Sequence, residues 1–365
     1  MHINYMRIFD YSFIVDLPIP ARSFGLMHRI LSENEILRSK INQKKGTFTK
    51  LRTIASMESI KGSNAIEGIG TTDERLRGIV LHNTEPIGHD EMEIAGYRDA
   101  LEAIHERGNG LPFDDITVCG LHRMLYGHTG IDKGGRYKTA DNRIIDRTPE
   151  GETTRFLPVP ANETEACMDA MFQAYARALD DPEIDPLILI PCVILDFLCI
   201  HPFPDGNGRV SRLITLLLMY HNGLDIQRYE SVEAAIDSTR NAYYDALKQS
   251  SVGWHTSEND YVPFITYFLN VIGMCITDLE KRRLTVSARD MNKTERIESV
   301  VLDSMIPISK AEICEILIDV SPNTVEKVLG DMVRDGKITK IGTTRSARYR
   351  RSEAVSSNPL SEPKD

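Results

Sequence analysis

A short polar segment between two apolar stretches contains the residues best suited to chemistry. Residues 201–212 read HPFPDGNGRVSR, follow an apolar run at 187–200 and precede a second apolar run. Gly206 and Gly208 flank Asn207 at the predicted start of a helix, where backbone amides point outward and the helix dipole favours negative charge. Glycine also lets a ligand approach the backbone closely. This segment therefore predicts an anion-binding site.

Charged side chains around this site indicate what the anion is. Arg209 and Arg212 are spaced i, i+3, so both are expected to project from the same side of the first helical turn and to hold successive phosphates. Asp205 is a suitable oxygen ligand for Mg²⁺, which completes its coordination with phosphate and water. His201, four residues before Asp205, can serve as a general base near neutral pH. The pattern predicts a magnesium-bound polyphosphate beside a base.

Residues 201–212 also resemble the signature of the Fic (filamentation induced by cAMP) family, His-x-Phe-x-(Asp/Glu)-Gly-Asn-Gly-Arg-x-x-Arg, at every specified position. Segments 121–125, 135–137 and 156–160 lie in the order and spacing of that family's pre-flap helix and flap. The resemblance covers roughly residues 50–275. It implies a mainly α fold, a Fic helical core with a β-hairpin flap.

The resemblance implies transfer of AMP from ATP to a Ser, Thr or Tyr hydroxyl of a protein, with self-modification expected. In that reaction His201 would deprotonate the hydroxyl and Asp205 would bind Mg²⁺. Asn207 and the two glycine amides beside it would hold the α-phosphate. Arg209 would hold the β-phosphate and Arg212 the γ-phosphate. The flap would clamp the target main chain by strand addition.

A second segment, Ser63-Asn-Ala-Ile-Glu67-Gly68, resembles the inhibitory motif (Ser/Thr)-x-x-x-Glu-(Gly/Asn) of Fic proteins. Here it precedes the core, as in members with an N-terminal inhibitory helix. A Glu67 carboxylate on Arg212 would occupy the partner of the γ-phosphate and repel the triphosphate. A plain solvated helix end is the alternative interpretation of this segment.

Three other functions remain open at this stage. The first is transfer of another nucleotide, and the second is removal of AMP from a modified protein, which Glu67 would assist by positioning water. The third is a DNA-binding regulator whose Fic domain only senses nucleotide.

Periodicity divides the chain into four regions. We expect an N-terminal helical region with the inhibitory helix at 1–95, the catalytic core at 96–285, a small domain at 290–351 and a disordered Ser- and Pro-rich tail at 352–365. The core includes one predicted helix at 231–250 and a long loop with a small hairpin at 128–160.

The pattern after residue 290 is typical of a winged helix-turn-helix. Ser309 and Glu312 predict a capping box, and Ser321 followed by proline starts a second helix. Strands are expected at 337–341 and 347–350. DNA is one candidate partner, and target selection or a homodimer are the others. A DNA contact would use the basic residues Lys337, Lys340, Arg345, Arg348, Arg350 and Arg351.

Composition sets outer limits on function. The 365 residues carry 43 Lys and Arg against 53 Asp and Glu, so a nucleic acid would need a local basic patch. The most apolar stretch found in the sequence, 187–200, is too short to span a membrane, and the N-terminus has no signal-peptide pattern. Six dispersed cysteines indicate mostly buried free thiols. We expect a cytoplasmic protein without a membrane partner.

Overall fold

The computed structural model describes residues 7–41, 45–130, 134–148, 151–287, 292–302, 307–317, 319–342 and 347–352. Contacts divide the chain into two compact units, residues 1–277 and 278–365. Arg345 and residues 353–365, which hold nearly all of the expected disordered tail, lie outside the described residues.

The first unit is almost entirely helical, which confirms the mainly α fold class. Two described strands form one hairpin between its fifth and sixth helices. The helices are α1 (Ala21–Ile41), α2 (Lys45–Ile66), α3 (Asp73–His82), α4 (Gly88–Arg107), α5 (Asp115–Leu125), α6 (Thr164–Leu179), α7 (Pro186–Ile200), α8 (Asn207–His221), α9 (Val232–Ser238), α10 (Arg240–Ser251) and α11 (Val262–Ser287), the last of which contains the boundary between the units.

Helix α7 forms the centre of the first unit. Asp185 accepts a hydrogen bond from the amide of Leu187, and Pro186 occupies the first turn, where its missing N–H costs nothing. Every residue from Leu187 to Ile200 is buried. A helix that is apolar on all sides is stable only when other elements surround it, and α6 and α8 pack on either side of α7. The residue after α7 is therefore held in a fixed place.

The predicted single helix at 231–250 is wrong, because the structure has two helices that meet at Thr239. The hydroxyl of Thr239 donates to the carbonyl of Ala235 at 2.8 Å, and its backbone leaves the helical region at φ −118° and ψ 27°. Such a local side-chain bond competes with the helical pattern. The break allows α10 to run in a new direction, which brings Tyr243 and Tyr244 to the functional site.

The hairpin consists of β1 (Ile144–Thr148) and β2 (Gly151–Phe156), which pair antiparallel. Ile145 lies opposite Thr154, and the register shifts between Ile144 and Ile145. A register shift of this kind bends a strand and increases its twist. The hairpin is the small one expected within 128–160, and residues 131–133 and 149–150 of that segment are not described.

The described part of the second unit contains three more helices and a three-stranded antiparallel sheet in which the last strand along the chain is central. Ser309 and Glu312 form the predicted capping box, and Ser321 caps the next helix through the amide of Thr324. Helices and strands occur in the order expected for a winged helix-turn-helix, and that class remains a prediction. The elements are α12 (Lys293–Leu302), β3 (Ile308–Ser309), α13 (Lys310–Ile316), α14 (Pro322–Arg334), β4 (Ile338–Ile341) and β5 (Arg348–Arg351).

The cysteines match the expectation of free thiols, whereas an apolar helix longer than 187–200 was not expected. All six cysteines are free thiols, of which Cys192, Cys199 and Cys275 are buried and the other three are partly exposed. Among the described helices, Val262–Arg283 is long and apolar enough to cross a membrane, although 56% of its most apolar window is buried inside the protein.

Candidate active site

The polar segment forms a tight turn between α7 and α8, and we call residues 201–206 the motif loop. His201 ends α7 with its backbone in the left-handed region at φ 52°. Gly206 precedes α8 with a φ of 77°, a conformation that favours glycine. A Cβ atom at Gly206 would lie 3.0 Å from the Tyr126 hydroxyl, so a side chain here would also force that neighbour to shift. The loop is thus compressed against α5.

The imidazole of His201 has one defined tautomer. Its Nδ1 lies 3.1 Å from the carbonyl oxygen of Leu198, which can only accept, so Nδ1 carries the proton. Burial lowers the pKa of His201 to about 4, an effect that the Leu198 hydrogen bond opposes and the nearby Lys138 strengthens. The ring is therefore neutral near pH 7. Its Nε2 has a lone pair that can accept a proton.

Asn207 holds the loop together rather than opening into solvent. Its side-chain oxygen accepts from the amide of Phe203 at 2.9 Å, and its side-chain nitrogen donates to the carbonyl of Phe203 at 2.7 Å. The Phe203 ring is buried and stacks on His122 with centroids 3.8 Å apart. Asn207 is predicted to bind an α-phosphate, and one N–H of its amide remains for such a contact after the bond to Phe203.

Arg212 lies on α8 with its guanidinium against residues 63–67 at the end of α2. Nε donates to the Ser63 hydroxyl at 2.8 Å, and Nη2 donates to the Ser63 carbonyl at 2.9 Å and to Glu67 Oε1 at 2.8 Å. Burial lowers the pKa of Arg212, but Glu67, Tyr243 and Tyr97 together outweigh this effect and the pKa rises above the usual value. Gly68 follows with φ 78° and ends the helix.

The Glu67 carboxylate also covers the first turn of α8. A Cβ atom at Gly208 would collide with Glu67 Oε1, so a carboxylate oxygen lies directly on the backbone of that glycine. The amino end of α8 carries partial positive charge and is the place where an anion would bind. The structure thus places a negatively charged side chain at the predicted phosphate site.

Arg209 does not project beside Arg212. Its guanidinium is buried, forms an ion pair with Glu93 of α4 and donates to the Tyr126 hydroxyl at 3.1 Å. The two arginines therefore contact different helices, and only Arg212 lines the adjoining cleft. The i, i+3 spacing did not bring them to one side, because the carboxylate of Glu93 draws Arg209 inward. The role of Arg209 as a phosphate ligand stays a prediction.

A cleft of about 260 Å³ opens in front of the motif loop. Its floor is formed by the loop and the first turn of α8, and the hairpin and α10 form two sides. The polar residues that line it are Glu67, Arg143, Arg155, His201, Asp205, Asn207, Arg212, Tyr243, Tyr244, Lys248 and Ser251. Arg155 of the hairpin lies over the ring of Tyr244, with Cζ 5.5 Å from the centroid, so the two sides meet across the cleft.

Asp205 is exposed at the cleft and can hold a cation. Its Oδ1 accepts from the amide of Gly206 at 2.7 Å, which orients the carboxylate. Within the described ranges there is no group of three or more His, Cys, Asp or Glu side chains that would hold a metal. One carboxylate fits Mg²⁺ when phosphate and water supply the remaining oxygens.

Three residues at this site escaped the sequence analysis. Glu93 pairs with Arg209, and its position between apolar residues of α4 is a signal for a buried acid that needs a partner. Lys138 and Asn142, which precede β1, hydrogen-bond to carbonyls in and next to the motif loop. Nothing in the spacing of Lys138 or Asn142 indicates this, because their contacts depend on the path of the hairpin stem.

Known proteins resemble this chain in sequence. Residues 112–219 match the family model described as the Fic/DOC family. The protein adenylyltransferase Fic of Nematostella vectensis is 26% identical over 273 residues, which cover 68% of this chain and 58% of that protein. The protein of the same name in Drosophila melanogaster is 25% identical over 235 residues, covering 63% and 43%. The chain thus spans about half the length of these curated relatives.

Solved structures resemble the fold. A Fic family protein from Desulfovibrio desulfuricans G20 superposes with a TM-score of 0.59 at 20% identity, covering 92% of this chain and 97% of the other. A Fic domain-containing signalling protein from Bacteroides thetaiotaomicron gives 0.55 at 20% identity, covering 69% and 97%. Residues 112–219 thus match the Fic domain of the Fic/DOC family, and the solved structures share the fold of this chain.

Proposed function

We propose that this chain is a protein adenylyltransferase, which transfers AMP from Mg·ATP to a Ser, Thr or Tyr hydroxyl of a target protein. One observation carries the proposal. The cleft brings together a neutral histidine whose Nε2 can accept a proton, an exposed carboxylate and the amino end of a helix with a buried arginine. The names of the curated relatives support the same activity.

Each of these groups fits one part of the reaction. The amino end of α8 and Arg212 would hold the triphosphate, and Asp205 would bind the magnesium ion that arrives with it. The target hydroxyl would lose its proton to Nε2 of His201 while its oxygen attacks the α-phosphorus. The bond from the α-phosphorus to the bridging oxygen would break, and pyrophosphate would leave with Mg²⁺.

We further propose that the chain is inhibited in the state that the structure describes. The Glu67 carboxylate is bonded to Arg212 and covers Gly208, where the triphosphate is expected. Two negative groups cannot share this position without repulsion, so ATP would bind weakly or in an unproductive pose. Movement of Glu67 would activate the enzyme.

Transfer of radiolabel tests the proposed activity. Purified protein with Glu67→Gly is incubated with α-labelled ATP, GTP, CTP or UTP, with a cell lysate as a source of targets and alone to detect self-modification. We expect label on protein from ATP, and none when His201→Ala is added to the same chain. Label from another nucleotide alone would show that the enzyme uses a different base. No label from any nucleotide would contradict the proposal.

Removal of AMP is a second candidate, favoured by the position of Glu67 in the cleft that His201 also lines. A carboxylate there can orient water toward a modified side chain. The wild-type chain would then release AMP from a pre-labelled target, and Glu67→Gly would abolish release while raising transfer. Loss of both activities in that variant would contradict this role.

For the second unit we propose DNA as the partner, with a second copy of the chain as the alternative. Lys340, Arg350 and Arg351 are exposed on the β4–β5 hairpin and, within the described part of the chain, form no ion pair. The mixed charge of α14 argues against DNA, because this helix also carries the acids Glu326 and Asp331. They form ion pairs with Lys310 and Arg334. Fluorescence anisotropy with duplex DNA tests the proposal, because phosphate contacts weaken steeply with salt.

We place the protein in the cytoplasm, where its six free thiols would stay reduced. The labelling experiment would identify the target, and light scattering would measure the oligomeric state.

A further inference from the structure

The stem of the hairpin, residues 134–142, holds the backbone of the motif loop. The amide of Lys138 donates to the carbonyl of Pro202 at 2.8 Å. Its ammonium group is buried and donates to the carbonyl of Ile200 at 3.0 Å and to the side-chain oxygen of Asn142 at 2.9 Å. One lysine thus fixes two carbonyls on either side of His201.

Asn142 fixes two further carbonyls with a single amide nitrogen. Its Nδ2 donates to the carbonyl of His201 at 3.2 Å and to that of Phe203 at 3.1 Å. Since its Oδ1 accepts from Lys138, all of its polar atoms are engaged within this set. The Asn142 side chain therefore bridges both ends of the His201-Pro-Phe203 turn.

His122 of α5 holds the other end of the loop. Its Nδ1 accepts from the amide of Gly135 at 2.8 Å, so the proton lies on Nε2, which donates to the carbonyl of Asp205 at 3.1 Å. Burial lowers the pKa of His122 to about 4, and the Asp205 carbonyl opposes this, so the ring stays neutral near pH 7. The ring plane is only 3° from that of Phe203, against which it stacks.

These contacts determine which backbone groups face the cleft. A peptide group is planar, with C=O and N–H on opposite sides. When His122 holds the carbonyl of Asp205, the amide of Gly206 must point the other way, where it donates to the Asp205 carboxylate at 2.7 Å. The orientation of a cleft carboxylate is thus set by a side chain that lies behind it.

We propose that His122, Lys138 and Asn142 are positioning residues, which fix the motif loop so that His201 and Asp205 face the cleft. This inference rests on the proposed adenylyl transfer for its kinetic readout. It extends beyond the motif itself, because none of the three lies within residues 201–212. The set joins the hairpin stem to the loop, so each residue acts through His201 or Asp205 and not on the substrate.

Asn142→Asp provides a sharp test, because it keeps the volume and the bond from Lys138 but replaces two donated bonds with repulsion between oxygens. In the Glu67→Gly chain we expect the transfer rate at saturating Mg·ATP to fall about tenfold or more, because the base is misplaced. We expect KM for ATP to change less than about threefold, since Arg212 and the α8 amides lie outside the loop.

The matched control is Asp141→Asn, the reverse exchange at the neighbouring residue. Asp141 Oδ1 accepts from the amide of Ala161 at 2.8 Å, a bond that asparagine can also accept. This control should retain the full rate. His122→Phe keeps the stack on Phe203 and loses the bond to Asp205, so we expect it to raise the half-saturating Mg²⁺ concentration.

A readout without catalysis separates this inference from the proposed function. Protein labelled with ¹⁵N at its ten histidines gives ring signals, and that of His201 is identified by its loss in His201→Ala. We expect the His201 ring signals to shift or broaden in Asn142→Asp and to stay unchanged in Asp141→Asn. If no variant transfers AMP but these signals move, the proposed function fails and the positioning role stands.

Two results would overturn the positioning role. One is a His201 signal and a transfer rate that both remain at the reference level in folded Asn142→Asp. The other is a rise of KM for ATP that accounts for the whole loss of kcat/KM, without a fall in kcat. This would mean that Asn142 serves ATP binding. If Asn142→Asp does not fold, Asn142→Ala removes the same two donated bonds without the repulsion and is judged by the same criteria.

Discussion

Glu67 Oε1 lies 2.8 Å from Arg212 Nη2, yet the two side chains differ greatly in exposure, 32% for the glutamate and 3% for the arginine. The arginine is held by Ser63 through two further hydrogen bonds. The partner that can leave is therefore the glutamate, and its departure would uncover a fixed, positively charged site.

Glu67→Gly should raise AMP transfer about ten- to a thousandfold, because each 1.4 kcal/mol lost from a competing ion pair corresponds to about tenfold. Initial rates of label incorporation at subsaturating ATP measure the effect. The transfer rate of Glu67→Gln should lie between those of the wild-type chain and Glu67→Gly, since its amide oxygen still accepts from Arg212 but carries no charge. Glu74→Gln, an exposed change on α3, is the control and should leave the rate unchanged. An unaltered rate in Glu67→Gly would mean that Ser63–Gly68 is only a helix end.

Gly62→Val should activate the enzyme without touching the carboxylate. A Cβ atom at Gly62 would lie 2.8 Å from the backbone nitrogen of Ala234, so valine must push α2 away from α9 and weaken the contact of Glu67 with Arg212. We expect activation below that of Glu67→Gly and a lower melting temperature. Gly70→Val, with open space at its Cβ, is the control. Activity that stays basal while the melting temperature falls would show that α2 docking does not govern Glu67.

Asp205→Asn should weaken the dependence of ATP binding on magnesium. The asparagine oxygen can still accept from the Gly206 amide, so the loop is preserved while the negative charge is lost. Calorimetry in the Glu67→Gly chain, with Mg²⁺ and with EDTA, measures this. We expect the reference chain to bind ATP more tightly with Mg²⁺ and the variant to show little difference. An equal gain from Mg²⁺ in both would place the ion elsewhere.

Stability should fall with acid through His105. Burial lowers the pKa of His105 to about 3, with the nearby Arg52 and Arg228 adding to the effect. The folded state keeps the ring neutral while the unfolded chain takes up a proton below about pH 6.5, so the stability is present above that pH and is lost as pH falls toward 3.

The expected size is on the order of 1 kcal/mol per pH unit between pH 6 and 5. Urea unfolding at several pH values should show a shallower pH slope for His105→Gln than for the wild-type chain. Equal slopes would mean that His105 already takes up its proton in the folded protein.

Local sequence patterns were sufficient to predict most of the helices. Helix starts at Asp73, Pro186 and Asn207 follow from side-chain caps, a first-turn proline and glycine before the first turn, all of which are set by neighbours in sequence. The break at Thr239 was not predictable in this way, because the residues of 231–250 favour a helix and the Thr239 hydroxyl also contacts the hydroxyl of Tyr267 on α11, which only folding brings near.

For the site, the chemical groups could be identified from residue types and their spacing alone. His201, Asp205, Gly206 and Arg212 are close because they follow one another along a turn and a helix, and turn geometry is a local property. The most specific part of the family resemblance is the same twelve residues, 201–212. The Glu67 motif was also visible, although only as a pattern distant from its partner.

How these groups are held, and which of them face the cleft, depends on contacts between segments that are distant in sequence. Arg209 turns inward because Glu93 arrives from α4, more than a hundred residues earlier, and an ion pair in the interior outweighs helical spacing. His122 and Asn142 reach the motif loop for the same reason, since a buried carbonyl must find a donor wherever the fold brings one. Spacing along the chain does not predict such contacts, because they arise between segments that meet only after folding.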